Sequence, residues 1–531
     1  MHSPLLRPLL LNGFMASGKS TLGRLVAQRA GRTFIDLDER VEARAGLRVA
    51  EIFAQRGEGT FRQWEAEALD EVLDSGRADV VALGGGALLV RSRRLRALDR
   101  AVVVALGADV EETLRRAAGQ LDQRPLLQGS SAVEQVEHLL EQRAPAYAEC
   151  HARLDTTRGA PEELAARLIE LWQRNGVAVA AGEHSYTVEI GADLGHARLP
   201  EWTKGRSRIL LVSDRNVAPL HAGRVLEALG GKGAAELIEL APGETHKTLS
   251  TVEGIWQRAS SLGADRSSLF VGLGGGVVTD IAGFAAAGWM RGVPWIAIPT
   301  TLLAMVDASV GGKTAVDLGQ AKNCVGAFWQ PSAVFCDVKY CATEPPRGAS
   351  ALSEVVKTAL IGDPELLELL ERRGAEVLQR EPGVTEEIVR RSIRVKARVV
   401  GQDAREQGIR AALNLGHTFG HALEAAAGFD RLSHGEAISL GLVAALRLGQ
   451  RLAVTPAPLV ARVTRLLARL GLPTDLHAEP LDAAAELLGM DKKRRGRRVK
   501  FVLVREPGQI EFRNLELGEL VRLAGDLSRS D

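Results

Sequence analysis

The 531-residue sequence predicts an α/β protein in three parts. A parallel-sheet domain built around a phosphate loop comes first, then a second parallel α/β domain, then an all-α domain that carries polar ligands. Three observations lead there. An apolar strand at Leu9 to Leu11 runs into a glycine loop and then a helical pattern. A second strand-to-glycine turn, Phe270 to Asp280, also feeds a helix. Beyond about residue 345 the apolar spacing becomes almost wholly helical. The expected boundaries are 1–175, 184–345 and 346–531. The length alone exceeds what one core supports, and no internal repeat is evident.

Composition excludes several classes. Apolar content of 46% and charged content of 25% are ordinary for a globular chain. A net charge of +1 offers no bulk attraction to nucleic acid or membrane, so neither is expected as a partner. The one basic cluster is Lys492, Lys493, Arg494, Arg495, Arg497 and Arg498, either a solvated turn or a source of a phosphate ligand. Cys150, Cys324, Cys336 and Cys341 form no CxxC pair, which suggests neither a zinc knuckle nor a disulfide framework and suits a reducing cytoplasm. No apolar run reaches the ~18 residues of a membrane span. No signal peptide is read ahead of the Leu9 strand.

The first part is read from its loop. Leu9-Leu-Leu-Asn12 leads into Gly13-Phe-Met-Ala-Ser17-Gly18-Lys19-Ser20-Thr21, with Leu22, Leu25 and Val26 at helical spacing behind it. This is GxxxxGK[ST] in strand–loop–helix context, which makes the domain P-loop NTPase-type. Glycines let the backbone N–H groups turn towards phosphate oxygens, and the helix start adds its positive end. Gly13, Ser17, Gly18 and Thr21 are therefore nucleotide-contact candidates. Lys19 puts a charge near the β/γ-phosphates, and the Ser20 hydroxyl suits Mg²⁺.

Phe34-Ile-Asp36-Leu-Asp38 follows. Strand alternation puts Asp36 and Asp38 on one face near a ligand-binding end; the alternative is a helix start capped by Asp38. Then come Gly57-Glu58-Gly-Thr-Phe61-Arg62, a strand ending in Gly84-Gly85-Gly86, an arginine-bearing flap at Arg124-Pro125-Leu-Leu, and Arg143 in EQRAPAY.

Together GFMASGKST, DLD, GEGTFR, LGGGA, RPLL and RAPAY resemble shikimate kinase over about residues 8–172. The resemblance implies ATP-dependent phosphorylation of the shikimate 3-hydroxyl. It implies that Asp38, Arg62, Arg143 and the backbone of Gly84, Gly85 and Gly86 hold shikimate, whose carboxylate suits guanidinium groups. Asp38 would hydrogen-bond the reacting hydroxyl and accept its proton. Ser20 and Asp36 would serve Mg²⁺, Arg124 would close over the phosphates, and Arg116 would lie near the adenine. Gly59-Thr60 departs from the family, where an acid or larger side chain is unsurprising.

The join is expected near 175–183. Helix Pro161 to Gln173 ends at Asn175-Gly176, VAVAAGEHS reads as weakly structured, and YTVEIG starts a strand. The second part is Rossmann-like without the GxGxxG fingerprint. Asp214 and Asn216 stand at a strand end, where they can reach a ribose or adenine. Glu244 and Lys247 share the loop PGETHKT. Gly274-Gly275-Gly276 opens a helix that carries Asp280, a possible diphosphate site that a tight βα turn explains equally well. From Arg291 to Phe328 the chain is unusually polar, with Thr300, Thr301, Asp307, Lys313, Lys322 and Asn323. Glu354 and Lys357 fall at i, i+3 on one helical face; the bland alternative is a surface ion pair.

The third part contains EQGIRAALNLGHTFGHALEAAAGFDRLSHGE, residues 406–436. Read as a helix, Glu406, Arg410, Asn414, His417, His421 and Glu424 share an arc of roughly 80°. That is where an apolar stripe normally lies, so something polar or ionic is expected against it. The alternative is a solvated face with incidental histidines. His434 can bring a third imidazole.

PGETHKT, GLGGGVVTDIAGFAAA, RGVPWIAIPTTLLAMVDASVGGKTAVD, KNCVGAFWQP, SEVVK, LNLGHTFGHALE and SHGEA resemble 3-dehydroquinate synthase over about 184–520. The resemblance implies NAD⁺- and Zn²⁺- (or Co²⁺-) dependent conversion of 3-deoxy-arabino-heptulosonate 7-phosphate to 3-dehydroquinate, with release of phosphate. Glu354, His417 and His434 would bind the metal. His421 would serve the phosphate end. Lys313, Lys322, Asn323, Lys357, Lys396, Arg410, Asn414 and one of Lys492 and Lys493 would surround the substrate. Glu406 would orient a basic group, and Asp307 would support the metal region. Asp214, Asn216, Glu244, Lys247, Gly275, Gly276, Asp280, Thr300 and Thr301 would hold NAD. The resemblance also implies that Arg291 reaches a neighbouring subunit's site in a homodimer formed through this half. Thr343 to Ser353 departs from the family pattern before Glu354.

Two rival readings predict different residues. A metal-dependent polyol dehydrogenase would consume NAD⁺ stoichiometrically and would not need so many cations for phosphate and carboxylate. A scaffold with one dead half predicts broken phosphate-loop or metal residues, and none is broken. Both halves point to one pathway, in steps that are not consecutive.

Overall fold

Strand β1 (Leu9–Gly13) is buried along its whole length, and the reason is visible in its neighbours. It lies between β3 (Val80–Ala82) and β4 (Val102–Gly107), with β2 (Phe34–Asp36) and β5 (Ala152–Asp155) outside them, in the order β2-β3-β1-β4-β5. All four pairings are parallel. Side chains alternate across such a sheet, so both faces need cover. Leu10, Val81 and Val103 point into one apolar cluster; Leu9, Leu11, Val80, Val102 and Val104 point into another. Helices Lys19–Ala30 and Pro161–Arg174 cover the second through Leu22, Val26, Leu168 and Trp172. Helices Val49–Asp74 and Arg91–Arg100 cover the first through Leu69, Val72, Ala97 and Leu98.

This computed structural model describes residues 7–117, 132–231, 233–319, 321–344, 350–427, 431–479, 484 and 498–527. The flap arginine Arg124, the altered segment around Arg347, and Lys492 and Lys493 lie outside them. The chain divides into two compact units, Met1–Glu189 and Ile190–Asp531. The join expected to be weakly structured is regular. β6 (Val177–Val179) pairs antiparallel with β7 (Tyr186–Gly191), because three consecutive small apolar residues satisfy their backbone in a ladder and not in water.

The second unit holds the parallel strands β8 (Ile209–Asp214), β9 (Ala235–Leu240), β10 (Leu269–Gly274) and β11 (Trp295–Pro299). Two further strands, β12 (Lys313–Leu318) and β13 (Ala321–Phe328), form a separate antiparallel hairpin, and β14 (Ala333–Asp337) pairs with β11. Among the described residues beyond 350 the chain is helical, with one addition to the all-α expectation: the antiparallel pair β15 (Arg498–Glu506) and β16 (Gln509–Glu516).

Helix His434–Arg451 runs through the middle of this region and is buried nearly all round, as its Leu/Ala/Val content demands. Helix His417–Ala426 crosses it closely. A Cβ on Gly441 would stand 2.1 Å from the Gly416 carbonyl oxygen and 2.7 Å from the Gly420 nitrogen. Only glycine permits that approach.

The segment 406–424 is not one helix. Ile409–Asn414 is a short 3-10 turn, Gly416 is left-handed (φ 77°), and the helix starts afresh at His417. The break lets Gly416 pass under its partner helix. The polar residues do converge, but through a bend, and not along a single helical stripe.

Candidate functional sites

In the first unit a cavity of about 810 Å³ opens at the carboxyl ends of β1, β2 and β3. Gly18, Lys19, Ser20 and Thr21 line it from the phosphate loop, and Asp36, Asp38 and Arg62 line it opposite. Lys19 Nζ donates to the Gly13 and Phe14 carbonyls at 2.9 and 2.7 Å, inside the loop it closes. Ser17 is buried beneath it. Ser20 Oγ donates to Asp36 Oδ2 at 2.7 Å.

Asp36 and Asp38 do not share a strand face. The strand ends at Asp36, whose side chain caps the helix Leu37–Ala45 by accepting from the Asp38 N–H. Asp38 therefore sits in the first helical turn, and the cap is Asp36 and not Asp38. Asp38 Oδ1 is buried without a hydrogen bond. Burial, with Glu65 and Asp36 nearby, pushes its carboxyl up to about 6.

The triple glycine is a matter of clearance. A Cβ on Gly84 would meet Glu65 Oε1 at 2.3 Å and Asp38 Oδ1 at 2.9 Å, and one on Gly86 would strike the Arg62 guanidinium at 2.6 Å. The Gly85 carbonyl accepts from Tyr147 OH at 2.7 Å and from Arg143 at 3.4 Å. Arg62 is held by Glu58 and by buried Glu65, the latter at 2.8 Å. Arg116 donates to the Thr156 carbonyl at 2.6 Å and pairs with Glu112. Glu65 and Tyr147 escaped the sequence reading, although Glu65 lies one helical turn after Arg62.

In the second unit, Glu354, His417 and His434 each offer a ligand atom, and these atoms lie within 4.8 Å of one another. His417 Nε2 is 3.4 Å, and His434 Nε2 3.7 Å, from Glu354 Oε1. Both Glu354 oxygens are buried without a well-directed hydrogen bond. Such a carboxylate is expensive unless a cation sits against it. The Lys357 ammonium supplies one side, so this pair is fully buried and not a surface bridge. Burial raises the Glu354 carboxyl, but Lys357 and His417 outweigh it and hold it at about 2. Burial holds the His417 imidazole neutral, as a ligand must be. Burial opposes a charge on His434 too, yet Glu354 and Glu424 beside it lift it to about 10. Two imidazoles and a carboxylate that converge within 4.8 Å are a donor set that fits a divalent metal.

Other candidates gather by contacts. Lys396 Nζ donates to the Asp307 backbone carbonyl and to its Oδ1, the latter at 2.6 Å. Lys313 pairs with Glu406, which also accepts from Asn414 at 3.2 Å. Lys322 donates to Glu424 at 2.8 Å. The His421 ring lies 5.1 Å from His417 and 5.9 Å from His434. Arg410 is buried, donating to the Ala404 and Gly311 carbonyls at 2.7 and 3.0 Å. Arg291 is exposed on a turn where it and Met290 both take left-handed φ values of 68° and 49°.

At the dinucleotide candidates, Gly275 caps the helix Gly276–Gly288, and a Cβ on it would lie 3.4 Å from Thr301. Thr300 Oγ1 is buried without a partner. Asp214 Oδ1 accepts from the Asn216 and Val217 N–H groups, so it shapes the turn it ends. Lys247 lies 4.0 Å from Glu244 and 2.6 Å from Asp280.

The fold and the two sites define a phosphate-loop transferase unit followed by an α/β-plus-helical enzyme with a candidate metal centre. Comparison with known proteins makes this specific. Residues 15–173 match the shikimate kinase family model. Residues 237–351 and 351–494 match the N- and C-terminal models of 3-dehydroquinate synthase. The chain is 42% identical to a 3-dehydroquinate synthase of Caulobacter vibrioides over 343 residues, covering 62% of this chain and 93% of that one. It is 44% identical to that of Symbiobacterium thermophilum over 341 residues, covering 62% and 94%. The solved structure of ValA, a 2-epi-5-epi-valiolone synthase from Streptomyces hygroscopicus with NAD⁺ and Zn²⁺ bound, aligns with a TM-score of 0.59 at 28% identity, covering 65% of this chain and 97% of that one. The chain belongs to the 3-dehydroquinate synthase family, with a shikimate kinase domain fused ahead of it.

Proposed function

We propose that the two units catalyse two steps of aromatic amino acid biosynthesis: ATP-dependent phosphorylation of shikimate, and conversion of 3-deoxy-arabino-heptulosonate 7-phosphate to 3-dehydroquinate. The observation that carries the second is the Glu354–His417–His434 cluster, whose buried carboxylate has Lys357 against it, with Lys322 on Glu424 and Lys396 on Asp307. The lysines suit an anionic substrate, and the open acid–imidazole set suits a catalytic metal.

In the kinase unit, ATP with Mg²⁺ would lie on the phosphate loop, with Gly13, Ser17, Gly18, Lys19 and Thr21 around the phosphates and Arg116 beside the base. Ser20 and Asp36, already 2.7 Å apart, would share the Mg²⁺. Arg62, Arg143 and the backbone of 84–86 would hold the shikimate carboxylate and ring. Asp38, which lines the cavity and keeps one buried oxygen without a hydrogen bond, would take the proton of the attacking hydroxyl.

In the synthase unit, NAD⁺ held at the Gly275–Gly276 turn by Asp214, Asn216, Glu244, Lys247, Asp280, Thr300 and Thr301 would supply reversible hydride acceptance, and Zn²⁺ or Co²⁺ held by Glu354, His417 and His434 would supply a Lewis acid for the hydroxyl undergoing oxidation. The residues do the rest. Lys357 and Lys396, pinned by Glu354 and Asp307, present fixed charges to the substrate. Glu406 holds Lys313 and Asn414 for its carboxylate or phosphate. Asn323 and Lys322 approach from β13, Arg410 buttresses the loop at Gly311, and His421 serves the leaving phosphate. We assign 184–345 to dinucleotide binding and 346–531 to metal and substrate, and a cytoplasmic homodimer in which Arg291 serves the neighbouring site.

The test is phosphate release from heptulosonate 7-phosphate with catalytic NAD⁺. Turnover far beyond the NAD⁺ supplied, without net NADH, supports the reading. Stoichiometric NADH without phosphate release overturns it in favour of a dehydrogenase. Shikimate-dependent ADP formation tests the kinase unit in the same preparation.

A further inference from the structure

We infer that Glu424 is a positioning residue of the synthase unit, tying the metal ligand His434 to the substrate-side Lys322. The inference rests on the metal reading above and deepens it. Glu424 lies on the helix His417–Ala426 with its side chain 8% exposed. Its Oε2 faces His434 Nδ1 at 3.4 Å, and its Oε1 accepts from Lys322 Nζ at 2.8 Å.

The two candidate imidazole ligands are oriented by different means. His417 Nδ1 lies 3.2 Å from the Leu415 carbonyl, and His434 Nδ1 faces Glu424. With Nδ1–H donated in each case, both rings present Nε2 towards Glu354 Oε1. Either acceptor orients its ring, and the charged carboxylate raises the ring's basicity more than a neutral carbonyl does. Glu424 differs further because its second oxygen is engaged. Lys322 stands on β13 beside Asn323, 102 residues away in the chain. One carboxylate thus sets the tautomer of a ligand and the position of a cation in the substrate pocket.

The experiment uses the full chain stripped by a chelator and titrated with Co²⁺, followed by absorption, for wild type, E424Q, E424D and K322M. E424Q keeps the shape but cannot accept from both partners. Its Co²⁺ affinity should fall about 10- to 100-fold, and its KM for heptulosonate 7-phosphate at saturating metal should rise more than kcat falls. E424D should recover part of both. K322M should raise KM and leave Co²⁺ affinity as in wild type, which separates the two arms of the bridge. Unchanged Co²⁺ affinity in folded E424Q overturns the inference and leaves the metal site standing. Wild type that binds Co²⁺ no better than H417A overturns the metal reading, and the inference falls with it. Should E424Q not fold, the nitrogen NMR of histidine-labelled, Zn²⁺-loaded wild type decides: His434 protonated at Nδ1 supports the bridge, and deprotonated Nδ1 overturns it.

Discussion

The Lys247 ammonium lies 2.6 Å from Asp280 Oδ2 and also donates to Asn323 Oδ1 at 2.5 Å. It joins the helix behind the Gly275 turn to the hairpin strand β13. Burial raises the Asp280 carboxyl to about 6, against the pull of Lys247. Burial opposes the charge on Lys247, and Asp280 and Glu244 outweigh it. Removing one partner strands the other. K247M should destabilise the second unit by ~3–5 kcal/mol, and K247M/D280N should recover at least about 1 kcal/mol of that. A double-mutant cycle in denaturant reads this directly; additive losses would refute the coupling.

Asp38 has a free buried oxygen and an adjacent acid, Glu65. D38N should lower kinase kcat by about 10²-fold or more while phosphate release by the synthase unit is unchanged. A variant that retains full kinase turnover would remove Asp38 from proton transfer.

Metal removal should separate the two activities. After chelation and dialysis, added Mg²⁺ alone should restore ADP formation but not phosphate release, which should require Zn²⁺ or Co²⁺. Recovery of both with Mg²⁺ would exclude the Glu354–His417–His434 cluster as a transition-metal site.

Gly441 tests the helix crossing. A methyl there points at the Gly416 carbonyl, so G441A should cost ~1–3 kcal/mol and reduce metal retention, because His417 follows Gly416 directly. Gly254, on the helix Leu249–Ser261, has nothing within 4 Å of such a methyl. G254A should be neutral or stabilise by roughly 0.5–1 kcal/mol. Thermal unfolding with metal analysis distinguishes the two.

His151 predicts a pH dependence for the kinase unit. Its Nδ1 accepts the Val103 N–H at 3.0 Å, which only an imidazole unprotonated there can do. Burial, and then Arg7, hold it well below the usual histidine range. The unfolded chain therefore binds more protons below the ordinary value of about 6.5, and stability falls as pH drops through that value. The half-life of kinase activity on heating should shorten between pH 7 and 5.5, and H151Q should flatten the slope. Equal slopes would assign it to other groups.

The phosphate loop was legible because its chemistry is contiguous. Thirteen residues from Leu9 to Thr21 contain the strand, the glycines, the lysine and the helix start, and local backbone torsions alone make the cradle. The same held for Gly275 ahead of its helix. The motifs also named Glu354, His417 and His434 as ligands. Periodicity misled where a glycine broke the helix: Gly416 ends the stripe that 406–424 seemed to draw. It misled again at Asp38, which falls in the first helical turn behind the Asp36 cap and not on the strand. Only tertiary packing brought Glu354 to His417, buried Lys357 beside it, and joined Glu424 to Lys322 and Lys247 to Asn323. Residue type and spacing decide which groups a segment offers, because torsions and periodicity are local. Which groups meet, and which charges lose their water, depends on contacts between distant segments whose energies no single segment contains.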